Sequence, residues 1–292
     1  MNSVSSGWPW VLRVVWVLQP LAFVPLVEDA TSTLGASGRV FAIGFAWAAW
    51  AAVLLSTLVP STVSLTAGRL ASPLLLVVTA TCAVGADVAG WKLIAAGGAA
   101  LLAILVWFSA ETGIALAQGS AYGAEQRFPL KSPVVYVVPM VVLWSVMAAT
   151  TIGAVILLAN EFWIVGGVVL ALGAGATVFI APRFHQLSRR WLVVVPVGIV
   201  VLDPMLLVEN ALFRTSELSA IRLAPADTEA LDLTGGTGGV ALEIVLHTMA
   251  TVVKTERGQP NGTALHVRSV LVSPSRPGRA LAAASARRLP VG

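Results

Sequence analysis

The stretch "WLVVVPVGIVVLDPMLLV" (Trp191–Val208) decides how this chain is to be read. By hydropathy alone it is a crossing helix, since about 20 mostly apolar residues span a bilayer core. Its composition argues for strands. Val193, Val194, Val195, Val197, Ile199, Val200 and Val201 are β-branched, and branching at Cβ suits a pleated backbone. Pro196-Val197-Gly198 falls where a tight turn would join two short strands. The expectation is a hairpin of Trp191–Val195 with Ile199–Leu202, and a seventh span is the alternative.

Upstream, the chain is poorer in charge than a water-facing surface permits. Of all 292 residues 57% are hydrophobic and 11% charged, with a mean hydropathy of +0.88. A soluble domain carries about a quarter charged residues. Residues 1–180 hold six basic and six acidic side chains, so the net charge of +4 resides in residues 181–292. Two solvents explain this division better than one. The bias of 15 Arg to 3 Lys is that of a GC-rich genome.

Six segments are long and apolar enough to cross: Trp8–Val27, Val40–Leu58, Val63–Val84, Trp91–Ala110, Val134–Leu158 and Phe162–Ala181. The third opens on the polar turns Ser64–Arg69. The first lacks a basic leader and is broken by Arg13 and Gln19-Pro20, so it reads as a retained helix rather than a signal peptide. Arg127, Lys131, Arg183, Arg189 and Arg190 fall on one side of a six-span arrangement. Basic loops favour the cytoplasm. Both termini are therefore expected inside a plasma membrane, and a seventh span would export most of the tail arginines.

The expected organisation is an α-helical membrane bundle over residues 1–182 and a small β-rich cytoplasmic domain over 183–292. After the hairpin, strands are expected at Leu206–Val208, Ala211–Arg214, Ala220–Leu223, Leu231–Leu233, Val240–His247 and Ala264–Val272, with Gln259-Pro260-Asn261-Gly262 as a turn in the polar loop Thr255–Gly262. Ser275 is the candidate cap of a C-terminal helix, Pro277 fits its first turn, and Ala280–Leu289 forms it before Pro290.

Several strands closed by one helix is the order of a pleckstrin-homology-like barrel. "RWLVVVPVGIVVLDPMLLVENALFRTSELSAIRLAP" (Arg190–Pro225) resembles the opening strands of such bacterial domains. "GSAYGAEQRFPLKSP" (Gly119–Pro133) looks like a segment of uncharacterised actinobacterial multi-pass membrane proteins with a C-terminal pleckstrin-homology-like domain. The resemblance implies an architecture and, through it, binding of lipid headgroups or of a protein. It carries no catalytic motif.

Chemistry-bearing patterns are few. "TGGTGG" (Thr234–Gly239) imitates a dinucleotide-binding turn but lacks the G-x-G-x-x-G spacing and the βαβ context, and reads as a hairpin loop. His185, His247 and His266 have neither ligand spacing nor a carboxylate cluster. Cys82 is the sole cysteine, so neither an intrachain disulfide nor a cysteine metal site is available. Asn261-Gly262-Thr263 fits a glycosylation pattern but reads only as a turn on the cytoplasmic side. No catalytic, metal or cofactor residue is assigned.

Two charged groups stand out. Arg69 and Glu111 are expected near the inner mouth of the bundle, as interface anchors or as a paired polar cluster, because charge within a span is costly unless paired or wet. Arg13 is expected to snorkel nearby. The tail Arg268–Gly292 carries Arg268, Arg276, Arg279, Arg287 and Arg288 and no acid. Its arginines suit an anionic inner leaflet or form a solvated helix face. It has no aromatic residue to stack on nucleic acid. The functional expectation is a non-enzymatic scaffold or accessory factor, partnered by membrane lipids and by cell-envelope proteins. The alternative is a small transporter or channel using Arg69, Glu111 and Gly97-Gly98. A membrane enzyme acting on lipid lacks an acid–base pair.

Overall fold

The computed structural model describes residues 4–256 and 258–292. The chain divides into two compact units, one of residues 1–116 and 141–184, the other of residues 117–140 and 185–292.

The first unit is helical. Its helices are α1 (Val4–Val17), α2 (Gln19–Ala30), α3 (Ala36–Leu58), α4 (Thr62–Ala71), α5 (Leu74–Gly85), α6 (Gly90–Phe108), α7 (Ala110–Gln118), α8 (Val134–Ala159) and α9 (Trp163–Ser188), with α7, α8 and α9 also carrying residues of the second unit. Six segments are long and apolar enough to cross a membrane: Gly7–Ala30, Ala36–Leu58, Thr62–Gly85, Gly90–Phe108, Val134–Ala159 and Trp163–Ser188. They coincide with the six expected from the sequence. Only 11 to 28% of their most apolar windows is buried, so most of their apolar surface faces outward.

The first and third segments are interrupted. Pro20 in the first turn of α2 breaks the ladder at Leu18, because proline has no N–H to give. Pro73 does the same between α4 and α5. The gap is covered from elsewhere: the Trp144 indole donates to the Leu70 carbonyl at 3.0 Å. The polar turns expected at the start of the third segment point inward. Ser64 and Thr66 are buried, and their hydroxyls donate to the Val59 and Thr62 carbonyls. Ser61 caps α4 by accepting from the Ser64 N–H.

Packing centres on α6, whose Ala96, Ala100 and Ala103 are fully buried. Small side chains let helix backbones approach. Gly68 on α4 lies where an added Cβ would meet the Trp107 ring at 2.2 Å. Trp16 and Trp50 each donate an indole N–H to the other's carbonyl at 3.0 Å, tying α1 to α3.

The second unit is β-rich: β1 (Gln126–Pro129), β2 (Trp191–Val195), β3 (Gly198–Leu202), β4 (Ala211–Arg214), β5 (Leu218–Leu223), β6 (Leu231–Asp232), β7 (Leu242–Glu256) and β8 (Gln259–Val272), closed by helix α10 (Pro277–Ala286). One sheet runs β1-β2-β3-β4, all antiparallel; the other runs β5-β7-β8-β6, with β6 parallel to β8. Trp191–Val208 thus begins with the hairpin, not a seventh helix. Gly198 closes it at φ +149°, where a Cβ would sit 2.0 Å from the Phe213 carbonyl. One apolar core joins both sheets to α10 through residues such as Leu192, Ile199, Phe213, Ile244, Val270 and Ala284.

Four expectations are corrected. Leu206–Val208 is no strand, because Asp203 holds it in a turn by accepting the Met205 and Leu206 N–H groups, and Leu207 makes one isolated bridge. Gln259–Gly262 is not the turn: the β7–β8 hairpin pairs as far as Glu256 and Gln259, with Gly258 at φ +87° and Arg257 outside the described residues. The cap of α10 is Arg276, not Ser275, whose hydroxyl and N–H are taken by the Pro129 carbonyl. The loop Gly119–Pro133 is not merely a loop, since it supplies β1.

Candidate functional site

Helix α10 turns Ala280, Ala283 and Ala284 into the β core and leaves its other side to solvent. Ten residues make it about 15 Å long, so its arginines divide into two pairs. Arg276 and Arg279 flank the first turn, and both are exposed. Arg287 and Arg288 follow the last turn; Arg288 is exposed and adopts φ +60°. The helix dipole favours cations at the C-terminal end and disfavours them at the N-terminal end. Arg287 and Arg288 therefore stabilise the fold by their position, and Arg287 also donates to the Ala124 carbonyl. Arg276 and Arg279 gain nothing from the dipole, so an anion brought to that end would be drawn by both charge and helix. Arg268 is exposed on β8.

The β unit is also pinned by a buried ion pair that sequence reasoning missed. Arg190 and Asp203 are 1% exposed each. The guanidinium donates through Nε and Nη2 to the two carboxylate oxygens at 2.8 and 2.6 Å, and through Nη1 to the Lys131 carbonyl. With the Met205 and Leu206 N–H groups on Asp203 Oδ1, each ion has hydrogen bonds beyond the pair itself, which is what makes a buried pair tolerable. The signal was present: Trp191 pairs with Leu202, so residues 190 and 203 stand opposite each other just beyond the hairpin. A second pair, Arg222–Glu243 at 3.0 Å, joins β5 to β7, and Glu243 also accepts from Thr228.

The glycine-rich loop Thr234–Gly239 is not the expected hairpin loop, because the strands it joins, β6 and β7, are not neighbours in the sheet; its conformation has a local structural explanation. Asp232 accepts the Thr234 N–H at 2.6 Å to start the turn. Gly235 takes φ +66°, where a Cβ would strike Pro133 at 2.5 Å, and its carbonyl accepts the Val134 N–H. Lys131 Nζ donates to the Gly238 carbonyl. The loop is thus packed onto residues 131–134. His266 bonds to Thr251 across the β7–β8 ladder, whereas His247 lies in the bulge of β7 and bonds through its N–H to Glu217. Among the described residues no three His, Cys, Asp or Glu side chains gather as metal ligands.

In the helical unit, Arg69 Nε donates to the Trp107 carbonyl at 3.2 Å, and its guanidinium lies 5.6 Å from the Phe108 ring. Glu111 lies in the first turn of α7, just past the break at Ser109. Arg69 is therefore tied to the end of α6, and Glu111 sits at the start of the next helix. Arg13 donates to the Thr57 carbonyl. Gly97 and Gly98 face open space, so alanines rather than these glycines make the close contacts of α6. The residue overlooked in this unit is Gln19. It is 4% exposed, and its Nε2 donates to the Val15 and Ala99 carbonyls at 3.1 and 3.2 Å. An amide beside a proline in mid-segment was the available signal.

Comparison with known proteins finds no matching family model, no matching curated protein and no matching solved structure.

Proposed function

We propose that this chain is a multi-pass membrane protein with six spans and both termini in the cytoplasm. Residues 1–182 form its membrane domain, and residues 183–292, completed by β1, form a pleckstrin-homology-like binding module. It acts without catalysis, as a scaffold or accessory factor whose module docks on the anionic inner leaflet. The observation that carries this reading is the exposed arginine pair at the start of α10, in a tail of five arginines and no acid. Each basic side chain near such a leaflet adds on the order of 1 kcal/mol of attraction. The barrel resemblance is supported by two sheets closed by a C-terminal helix, and the parallel β6–β8 pair is a departure within it.

The test uses the whole chain, because a fragment from residue 184 would lose β1 and the Lys131 carbonyl that Arg190 needs. A spin label at exposed Ser285 is followed in nanodiscs of phosphatidylglycerol or phosphatidylcholine. The reading expects the label to be shielded from a water-soluble quencher only in the anionic discs, and released at high salt. Equal access in both discs at low salt overturns it.

A small transporter or channel is the second reading, favoured by the breaks at Leu18 and Ser72-Pro73 in two of the six segments. Interrupted helices line the substrate sites of many transporters. Solute flux in proteoliposomes, abolished by Arg69→Ala, supports it; its absence across a solute panel removes it.

A further inference from the structure

Within the helical unit lies a cavity of about 480 Å³, a size that suits a small molecule. Along α2 its wall runs from Pro20 to Thr31, about 17 Å of helix, and α3, α5 and α8 complete it. Most of that wall is hydrocarbon, with Phe23, Trp47 and Trp50 among its rings. One end differs. There α2 and α8 finish and α3 begins, with Gly38 of α3 packed on Ala159 of α8. Glu28, Thr31 and Asn160 line this end, and among the described residues Glu28 is the one charged member of the wall.

The helix repeat turns Glu28 towards the cavity. It shares a face of α2 with Val24, four residues before it, and Thr31, three after, and all three line the wall. Glu28 is also exposed, so its carboxylate is open to a molecule lying there. Its neighbour Asp29 is not in the wall and is paired with Lys92 at 2.6 Å. Among the described residues the Glu28 carboxylate has no such cation and no hydrogen bond. It stands in the last turn of α2, which holds no basic residue, where the helix dipole favours a cation and opposes an anion. Nearby hydroxyls do not help it. Thr31 and Thr81 give their protons to the Val27 and Val78 carbonyls and keep only lone pairs. What this end of the cavity lacks is a positively charged donor.

We propose that this cavity binds a single-chain lipophilic amine as its ammonium ion, with the N–H groups donating to the Glu28 carboxylate and the hydrocarbon lying along the wall. The length of the wall calls for a chain, its composition for hydrocarbon, and the unpaired carboxylate for a cationic donor. An anionic headgroup is opposed by the same charge. This inference depends on the helical unit being in lipid, and is independent of whether the β unit docks on a leaflet.

The test places the full-length protein in phosphatidylcholine nanodiscs, which carry no net charge to gather a cation. Two probes of equal length are titrated at neutral pH, terminally brominated dodecylamine, which is then protonated, and terminally brominated dodecanol. Bromine quenches tryptophan emission, and Trp16, Trp47 and Trp50 line the cavity. Saturable quenching is expected, with the amine about tenfold tighter than the alcohol, as one charged hydrogen bond warrants. Glu28→Gln should bring the amine down to the affinity of the alcohol and leave the alcohol unchanged. Should that variant fail to fold, the unaltered protein's choice between the probes still decides. Ala42→Phe, which fills the cavity, should abolish saturable quenching by both. Equal affinity of the unaltered protein for the two probes, or an amine preference that survives Glu28→Gln, overturns the role of Glu28. Quenching that never saturates overturns the site. Loss of leaflet docking with intact amine preference would count against the function proposed above and leave this site standing.

Discussion

In the β unit, Leu192, Ile199 and Phe213 are each 1% exposed, whereas in the helical unit Leu21, Ile94, Ile164 and Val178 are 75 to 85% exposed. The residue types are alike and their surroundings are opposite. In the β unit, apolar side chains are withdrawn into one core and ions are either exposed or, like Arg190 and Asp203, tightly paired. In the helical unit the outward surface is the apolar one, and what is turned inward includes Ser64, Thr66, Thr112 and Gln19. Such an inversion is stable only if the outer solvent differs. The proposal that the helical unit lies in lipid follows from this contrast more than from hydropathy.

The contrast can be attacked first at its most buried charge. Asp203→Ala strands Arg190 without a counter-ion, and losing one partner of a buried pair costs about 3–5 kcal/mol. Limited proteolysis should then cut the β unit while the helical segments stay protected. Equal protection of both units would show that the ion pair does not hold the β unit.

Arginine scanning gives the next largest effect. Leu101 is 53% exposed in mid-α6, and Val197 is 61% exposed at the β2–β3 turn. Leu101→Arg should cost about 2.5–3.5 kcal/mol of insertion, read as lost yield in the membrane fraction. Val197→Arg should stay within about 0.5 kcal/mol. Similar yields from both would erase the distinction in solvent.

A smaller gap is expected between Arg69→Ala and Arg39→Ala. The first removes a charged hydrogen bond to the Trp107 carbonyl, worth about 1.5–3 kcal/mol; the second trims an exposed side chain. Thermal unfolding in detergent should separate them, and identical transitions would deny Arg69 a structural part. Smallest of all, Ser275→Ala removes one hydrogen bond between the end of β8 and β1, and should lower stability by about 0.5–1.5 kcal/mol. Faster amide exchange in Gln126–Pro129 would report it, and unchanged exchange would show that the backbone bonds alone hold β1.

Much of this was legible in the sequence, for reasons that differ by region. Long apolar runs and a β-branched run around Pro196-Val197 are local signals, and they located the six segments and the hairpin. Strand β1 was illegible because Gln126–Pro129 pairs with residues some 65 positions later, and nothing nearby marks it as extended. The length of the β7–β8 hairpin was hidden by the polar residues of its outer half, such as Lys254, Thr255, Glu256 and Gln259. Ser275 looked like a cap because it precedes a proline, but Pro129 competes for its hydroxyl. Of the site, the arginines of α10 were legible as charge, though their division into two pairs was not. The Arg190–Asp203 pair and Gln19 needed register and tertiary contact to acquire meaning.

Cysteine accessibility in sealed, inside-out vesicles tests the difference in solvent most directly. With Cys82→Ala as background, Leu101→Cys and Val197→Cys are exposed to a membrane-impermeant maleimide. Rapid labelling is expected at position 197 and none at 101 until detergent is added. Equal labelling of both in intact vesicles would place the helical unit in water.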